Sequence, residues 1–284
     1  MKSKVPIVDA EVRVVHPEAR TRDFAIHKDE LVRRDVYSDA GIEKAIGLWG
    51  VDATIRSMDE CGIDFALLSG LAWKDRGILR DNNEYVLECL GNHPHRFKGL
   101  YTVDPSDPDR SADSIMSLDN DKYIGAEIIP KWQGTHVDAP ELQPIIEALE
   151  SKNLFLKAYT AHPTQTLDGD APYRTLRLLR RNPRLKTLIP HLGGLLCLYG
   201  LYSPVAELIQ NAFFITSVSA TMKMVEFAAT VNPDNLLFGT DFPFNHCFDQ
   251  ATALDAMFEL NLEPEVRDRI LGRTAIDLFG FKRT

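Results

Sequence analysis

Two short segments hold residues placed where proton-handling groups are placed. In Leu236-Leu237-Phe238-Gly239-Thr240-Asp241-Phe242-Pro243-Phe244, a single carboxylate follows an apolar run and is bracketed by Gly239 and Pro243. Aspartate is a poor strand former and is rarely buried without a partner, so one at this point needs a capping role or a chemical one. In Pro190-His191-Leu192-Gly193-Gly194, a histidine closes another apolar run. Carboxylates and imidazoles are the commonest carriers of protons in catalysis. Similar positions on or just after apolar runs belong to Asp9, Glu11, Arg13, Asp104, Glu127, Lys131, Lys157 and His162. Each has an ordinary structural reading: a strand-end aspartate caps a helix, a lysine snorkels, a lone histidine is a satisfied core residue. Arg13, Lys157 and Lys131 together suit the fixing of an anion, the arginine bidentately.

For these residues to meet, the runs that carry them must be neighbouring strands. Eight strands are expected, at 5–10, 64–69, 97–103, 124–129, 154–159, 186–191, 213–219 and 236–241. Helical periodicity fills the gaps. Ala45, Leu48, Val51, Ile55 and Met58 form one apolar stripe on a helix that stops at Cys61-Gly62. Asp138 reads as the N-cap of another, with Pro140 in its first turn. Further helices are expected at 82–90, 173–181, 204–210, 222–231, 249–260 and 265–279. From the second strand on, strand starts recur every 23 to 33 residues or roughly so, the repeat of βα units in a parallel barrel. An open doubly wound sheet would carry a glycine-rich turn after its first strand, which Asp9-Ala10-Glu11-Val12-Arg13 is not. The expectation is therefore an α/β fold, a (β/α)8 TIM barrel forming one domain over 1–284. Residues 12–40 make a long, mostly polar first βα loop, suited to act as a lid. Active sites of such barrels lie at the carboxyl ends of the strands, which is where the polar ring falls.

Composition narrows the partners. The 284-residue chain carries 32 basic and 41 acidic residues for a net charge of −9, which argues against nucleic-acid or membrane-surface binding. Arg177, Arg180, Arg181 and Arg184 alternate with leucines and read as the wet face of a helix. Cys61, Cys89, Cys197 and Cys247 show no C-x-x-C spacing, so reduced thiols and a cytoplasmic location are expected. No run approaches membrane-spanning length.

The ordered set of Pro190-His191-Leu192-Gly193-Gly194 and Phe238-Gly239-Thr240-Asp241-Phe242-Pro243-Phe244 resembles the amidohydrolase-related family. The resemblance is to the branch of aminocarboxymuconate-semialdehyde decarboxylase-like and resorcylate decarboxylase-like enzymes. Met58-Asp59-Glu60-Cys61-Gly62-Ile63-Asp64, Arg96-Phe97-Lys98-Gly99-Leu100, Gly125-Ala126-Glu127-Ile128-Ile129-Pro130 and Ala275-Ile276-Asp277-Leu278-Phe279-Gly280 extend it from about residue 51 to the C-terminus. The resemblance implies a divalent metal, zinc or manganese, held by a His-x-His pair on strand 1, a histidine on strand 5 and the strand-8 aspartate. It implies a strand-6 histidine near the substrate. His191 and Asp241 match, but the pair on strand 1 has become Glu11 and Arg13, and strand 5 offers Lys157 or, five residues on, His162. Glu11, His162 and Asp241 could form a metal site, completed by His16. A metal-free form is equally consistent, since the resemblance implies lactonases that use the same aspartate without metal.

The expected function is hydrolysis of a small carboxylated or carbonyl compound, a lactone or amide, with Asp241 as general base and His191 polarising or protonating the substrate. One alternative is non-oxidative decarboxylation of a small aromatic carboxylic acid. Another is an inactive barrel whose ring has become a salt-bridged plug of Glu11, Arg13, Lys157 and Asp241. Arg13, Lys157, Trp132, Tyr199 and His246 are the expected substrate contacts, with Tyr202 beside them. The partner is a small anion, and the chain has the option of pairing with itself. His93-Pro94-His95 lies at the barrel's amino-terminal side, away from the site.

Overall fold

The computed structural model describes residues 5–20, 46–160, 171–217, 222–244 and 249–282. Its eight strands are β1 (Val8–Arg13), β2 (Phe65–Ser69), β3 (Phe97–Thr102), β4 (Tyr123–Ile128), β5 (Phe155–Ala158), β6 (Lys186–Ile189), β7 (Ala212–Ile215) and β8 (Leu236–Leu237). They pair in sequence order, every neighbour parallel. The ring closes at a seam where Ala10 N–H donates to Phe238 O (2.8 Å), Asp241 N–H to Glu11 O (2.9 Å) and Arg13 N–H to Phe242 O (2.8 Å). Helices surround this (β/α)8 TIM barrel. They include α1 (Val51–Cys61), α2 (Arg76–Asn92), α3 (Pro108–Met116), α4 (Gln143–Ser151), α5 (Pro172–Arg181), α6 (Met222–Val231), α7 (Gln250–Glu259) and α8 (Thr274–Phe279).

Side-chain alternation along the strands divides the core. Val8, Phe65, Leu100, Ile124, Phe155, Leu188, Ile215 and Leu237, one from each strand, pack together inside the ring over Phe279 and Phe281. Val12, Ala66 and Leu68 pack outward with Met58, Val86, Cys89 and Leu90. In β1 the register slips: Asp9 pairs with Ala66 but Val12 with Leu68, so three steps on β1 match two on β2. This bulge re-aims the strand. It lets Glu11 and Arg13 meet charges from other strands inside the barrel, above Val8 and Ala10.

Local expectations hold where a cap is chemically specific. Gly62 ends α1 in the left-handed region at φ 73°, and the Asp249 carboxylate accepts an amide at the start of α7; α2 runs over Arg76–Asn92, longer than the expected 82–90, and starts on an Asp75 cap outside that expectation. Three expectations need correction. The first strand is Val8–Arg13, not 5–10, so Glu11 and Arg13 lie within it. Asp138 does not cap the next helix; it pairs with Arg174 (3.0 Å) and Arg177 (2.7 Å), which draws that part of the basic cluster out of purely solvent contact. The run at 236–241 pairs as a strand only over Leu236–Leu237. Of the expected lid, Val14, Val15 and Ala19 are buried against the barrel, and 21–45 lies outside the described residues.

Candidate active site

Arg13 is the hub of the barrel mouth. Its Nε donates to Asp241 Oδ1 (2.8 Å), NH1 to Glu127 Oε2 (3.0 Å) and Gly70 O (3.3 Å), and NH2 to Glu11 Oε1 (3.1 Å). The planar fork of a guanidinium can address three carboxylates at once, which an ammonium cannot. Lys157 completes the cluster: its Nζ lies 2.7 Å from Glu11 Oε1 and 2.9 Å from Glu127 Oε1. Glu127 and Lys157 are register partners on β4 and β5, which fixes their approach. Arg13, Lys157, Glu11 and Glu127 are all 2% exposed or less, whereas the Asp241 side chain is 20% exposed.

Three carboxylates therefore face two cations, and the cluster is one negative charge in excess unless one carboxyl holds a proton. Its groups do not share that proton evenly. Burial works to raise Glu11, but the charges of Lys157, His191 and Arg13 outweigh it and hold the carboxyl at about 2. Glu127 is likewise lowered, burial losing to Arg13 and Lys157. Asp241 moves the other way, pushed up to about 6 by burial and then by the Glu11 charge, which Arg13 and Lys157 offset only in part. Burial opposes the charge on Arg13 too, yet Glu127, Asp241 and Glu11 raise its pKa. The odd proton thus belongs to Asp241, the one carboxyl with an open edge.

His191 lies just past β6 and its pKa is lowered to about 4, by burial first, with Arg13 and Lys157 adding to it against the pull of Glu11. The imidazole is neutral at neutral pH. Ser217 Oγ accepts the His191 amide (3.3 Å) and lies 3.2 Å from Nδ1. This contact orients the imidazole ring. Tyr159 stacks edge-on against the ring at 5.0 Å. Both His191 (φ 56°) and Asp241 (φ 58°) occupy the left-handed region, a conformation that costs non-glycine residues free energy and that gathers at functional sites. Asp9 anchors the Asp241 turn from outside the cluster, accepting from Thr240 Oγ1 (2.6 Å), Thr240 N (3.0 Å) and Gln250 Nε2 (2.9 Å). Its burial outweighs these bonds and lifts its pKa to about 6.

The structure thus brings Glu11, Arg13, Lys157, His191 and Asp241 to one end of the ring. His162 and His246 lie outside the described residues. Trp132 packs against the apolar group of Val15, Trp49, Leu71 and Trp73. Tyr199 and Tyr202 are exposed. His16 meets the Tyr85 ring edge-on at 5.8 Å, and Asp104 pairs with Arg76 (3.0 Å). A groove of about 530 Å³ between α2 and α3, lined by Arg76, Asn83, Tyr101 and Ser114, is on the flank and apart from the carboxylate cluster. Ser217 and the Thr240–Gln250 support of Asp9 escape sequence reading, because hydroxyls and amides at strand ends are too common to stand out. Glu127 had a signal: a carboxylate inside the apolar run Ile124-Gly125-Ala126-Glu127-Ile128-Ile129.

A divalent ion on Glu11 and Asp241 does not fit the described residues. Arg13 stands between those carboxylates, and no three His, Cys, Asp or Glu side chains among the described residues are grouped to hold an ion. At an effective dielectric of about 20, an ion about 4 Å from Arg13 or Lys157 would be repelled by each on the order of 8 kcal/mol. Glu11 Oε2 and Glu127 Oε1 are the cluster oxygens left buried with no hydrogen-bond partner among the described residues, and Glu127 Oε1 is ion-paired with Lys157 at 2.9 Å, so the two do not make a coordination sphere.

Comparison with known proteins agrees with the fold. The chain superposes on the 5-carboxyvanillate decarboxylase of Sphingomonas paucimobilis with a TM-score of 0.80 at 20% identity, over 98% of this chain and 100% of that one. The 5-carboxyvanillate decarboxylase of Novosphingobium aromaticivorans, complexed with manganese and 4-hydroxy-3-methoxy-5-nitrobenzoic acid, gives 0.81 at 18%, over 98% and 96%. The 2,6-dihydroxybenzoate decarboxylase of Rhizobium gives 0.76 at 20%, over 97% and 98%. No curated protein matches by sequence. Residues 32–281 match the amidohydrolase family, and the chain belongs to that family of enzymes.

Proposed function

We propose that the protein is a non-oxidative decarboxylase of a small aromatic carboxylic acid. The observation that carries this reading is the charge imbalance at the mouth, which leaves Asp241 as a carboxyl able to hold and give up a proton near neutral pH. A substrate carboxylate is repelled by the cluster when Asp241 is ionised and accepted when Asp241 is protonated, so an anion arrives with its proton donor loaded. Asp241 then delivers the proton to the ring carbon bearing the carboxylate. The carbon–carbon bond breaks, its electron pair returns to the ring, and carbon dioxide leaves. Water at the exposed edge of Asp241 restores the proton. His191, a neutral imidazole, donates a hydrogen bond to a substrate oxygen when its proton is on the nitrogen facing the substrate. The fold likeness to decarboxylases of aromatic acids supports this choice over the hydrolase expectation.

Hydrolysis of a lactone or amide is the second reading, favoured by the solvent contact of Asp241, whose ionised form could take a proton from water. No helix among the described residues is long and apolar enough to cross a membrane, and Cys61, Cys89 and Cys197 are free thiols. Incubation with a panel of hydroxy- and methoxybenzoic acids in D2O tests the proposal. Release of carbon dioxide with one deuterium on the vacated ring carbon is expected. Turnover of lactones or amides with no acid decarboxylated would overturn it.

A further inference from the structure

We infer that Arg13 and Lys157 form a built-in replacement for a divalent metal ion, so that the barrel mouth excludes such an ion instead of awaiting one. Two unit cations supply the formal charge of one divalent ion, and they meet the carboxylates such an ion would need. Glu11 Oε1 is shared by Arg13 and Lys157, Glu127 gives one oxygen to each, and Asp241 Oδ1 is taken by Arg13. The cations reach this point from separate elements: Arg13 from β1 and Lys157 from β5, beside its register partner Glu127. Both are essentially shut off from solvent, so neither can swing aside to admit an ion without leaving buried carboxylates unpaired. The bulge in β1 belongs to the same arrangement, because it sets Glu11 and Arg13 to meet these partners. The inference concerns what fills the centre and holds whichever reaction is catalysed.

The test is metal uptake by the full chain, produced in medium supplemented with manganese and zinc and purified without chelator. Bound metal is counted by elemental mass spectrometry, and free Mn2+ is followed by electron paramagnetic resonance during titration. The wild-type chain is expected to hold less than about a tenth of an equivalent, with an unchanged melting temperature in about 1 mM Mn2+. The double variant Arg13→His/Lys157→His is expected to take up about one equivalent and to melt higher with the ion, as binding to the folded state alone requires. If that variant needs metal to fold, refolding with and without Mn2+ reads the same gain. An equivalent of metal on the wild-type chain that disappears in Glu11→Gln would overturn the inference. So would a double variant that takes up no ion either folded or during refolding. Neither readout depends on turnover, so failure here is separable from failure of the decarboxylase reading.

Discussion

Replacing Glu11 by glutamine probes the link between the charge cluster and reactivity. Burial, the larger cause of the raised Asp241 pKa, survives the change, while the second cause, the Glu11 charge, is removed. Both carboxylates contact the same guanidinium, Glu11 at 3.1 Å and Asp241 at 2.8 Å, which puts them about 5 Å apart. At an effective dielectric of about 20 that separation is worth ~3 kcal/mol, or roughly 2 pKa units. Asp241 should then titrate near about 4 in place of about 6. Because the proposed reaction needs the protonated carboxyl, wild-type kcat/KM should fall as pH climbs through about 6, and the Glu11→Gln limb should lie roughly 2 units lower. At pH 6 the protonated fraction, and with it kcat/KM, should drop about 50-fold. The assay is a pH–rate profile with circular dichroism at each pH, backed by 13C NMR of labelled aspartate carboxyls to follow Asp241 directly. A Glu11→Gln limb that stays at the wild-type position, or a wild-type profile that rises through pH 6, would refute the reasoning.

Two further variants probe the same cluster. Asp241→Asn should lower kcat at least about 100-fold by removing the proton donor. It should also make the protein more stable at pH 7 by about 3 kcal/mol, because a carboxyl raised from 3.8 to about 6 favours the folded state only when protonated. That advantage is full above about 6 and vanishes below about 4, where the wild-type carboxyl is protonated in both states; urea unfolding at several pH values checks the sign. Lys157→Met should cost about 3 to 5 kcal/mol in urea unfolding, since it strips Glu11 and Glu127 of a shared partner in a site closed to water. A loss below about 1 kcal/mol would show that water already reaches this pair.

The barrel is legible in the recurrence of apolar runs, and Asp241 and His191 stand out because each closes such a run. Strand β1 is harder to read. Val5-Pro6-Ile7-Val8-Asp9-Ala10 is its apolar stretch, yet the paired segment is Val8–Arg13, since charges satisfied by one another inside the ring look like loop residues to any hydropathy pattern. Glu127 and Lys157, by contrast, sit in apolar runs long enough to be read as strands despite their charge, and β4 and β5 carry them. Spacing also cannot reveal that Arg13 engages three carboxylates at once, because those partners come from β1, β4 and the turn after β8. Asp138 shows the converse: its cap signature is sound locally, but arginines from α5 outcompete the helix amides for its carboxylate.

The seam between β8 and β1 is where the cylinder is thinnest, with β8 contributing only Leu236 and Leu237 to regular pairing. Closure there relies on a few main-chain contacts and on two side-chain latches, Arg13 to Asp241 and Asp9 to Thr240. The group proposed to hand over a proton is thus also a fastener of the wall. Each reaction cycle would slacken and retighten that fastener, making amide hydrogen exchange at Ala10, Arg13 and Asp241, the donors across the seam, a gauge of turnover written in the scaffold itself.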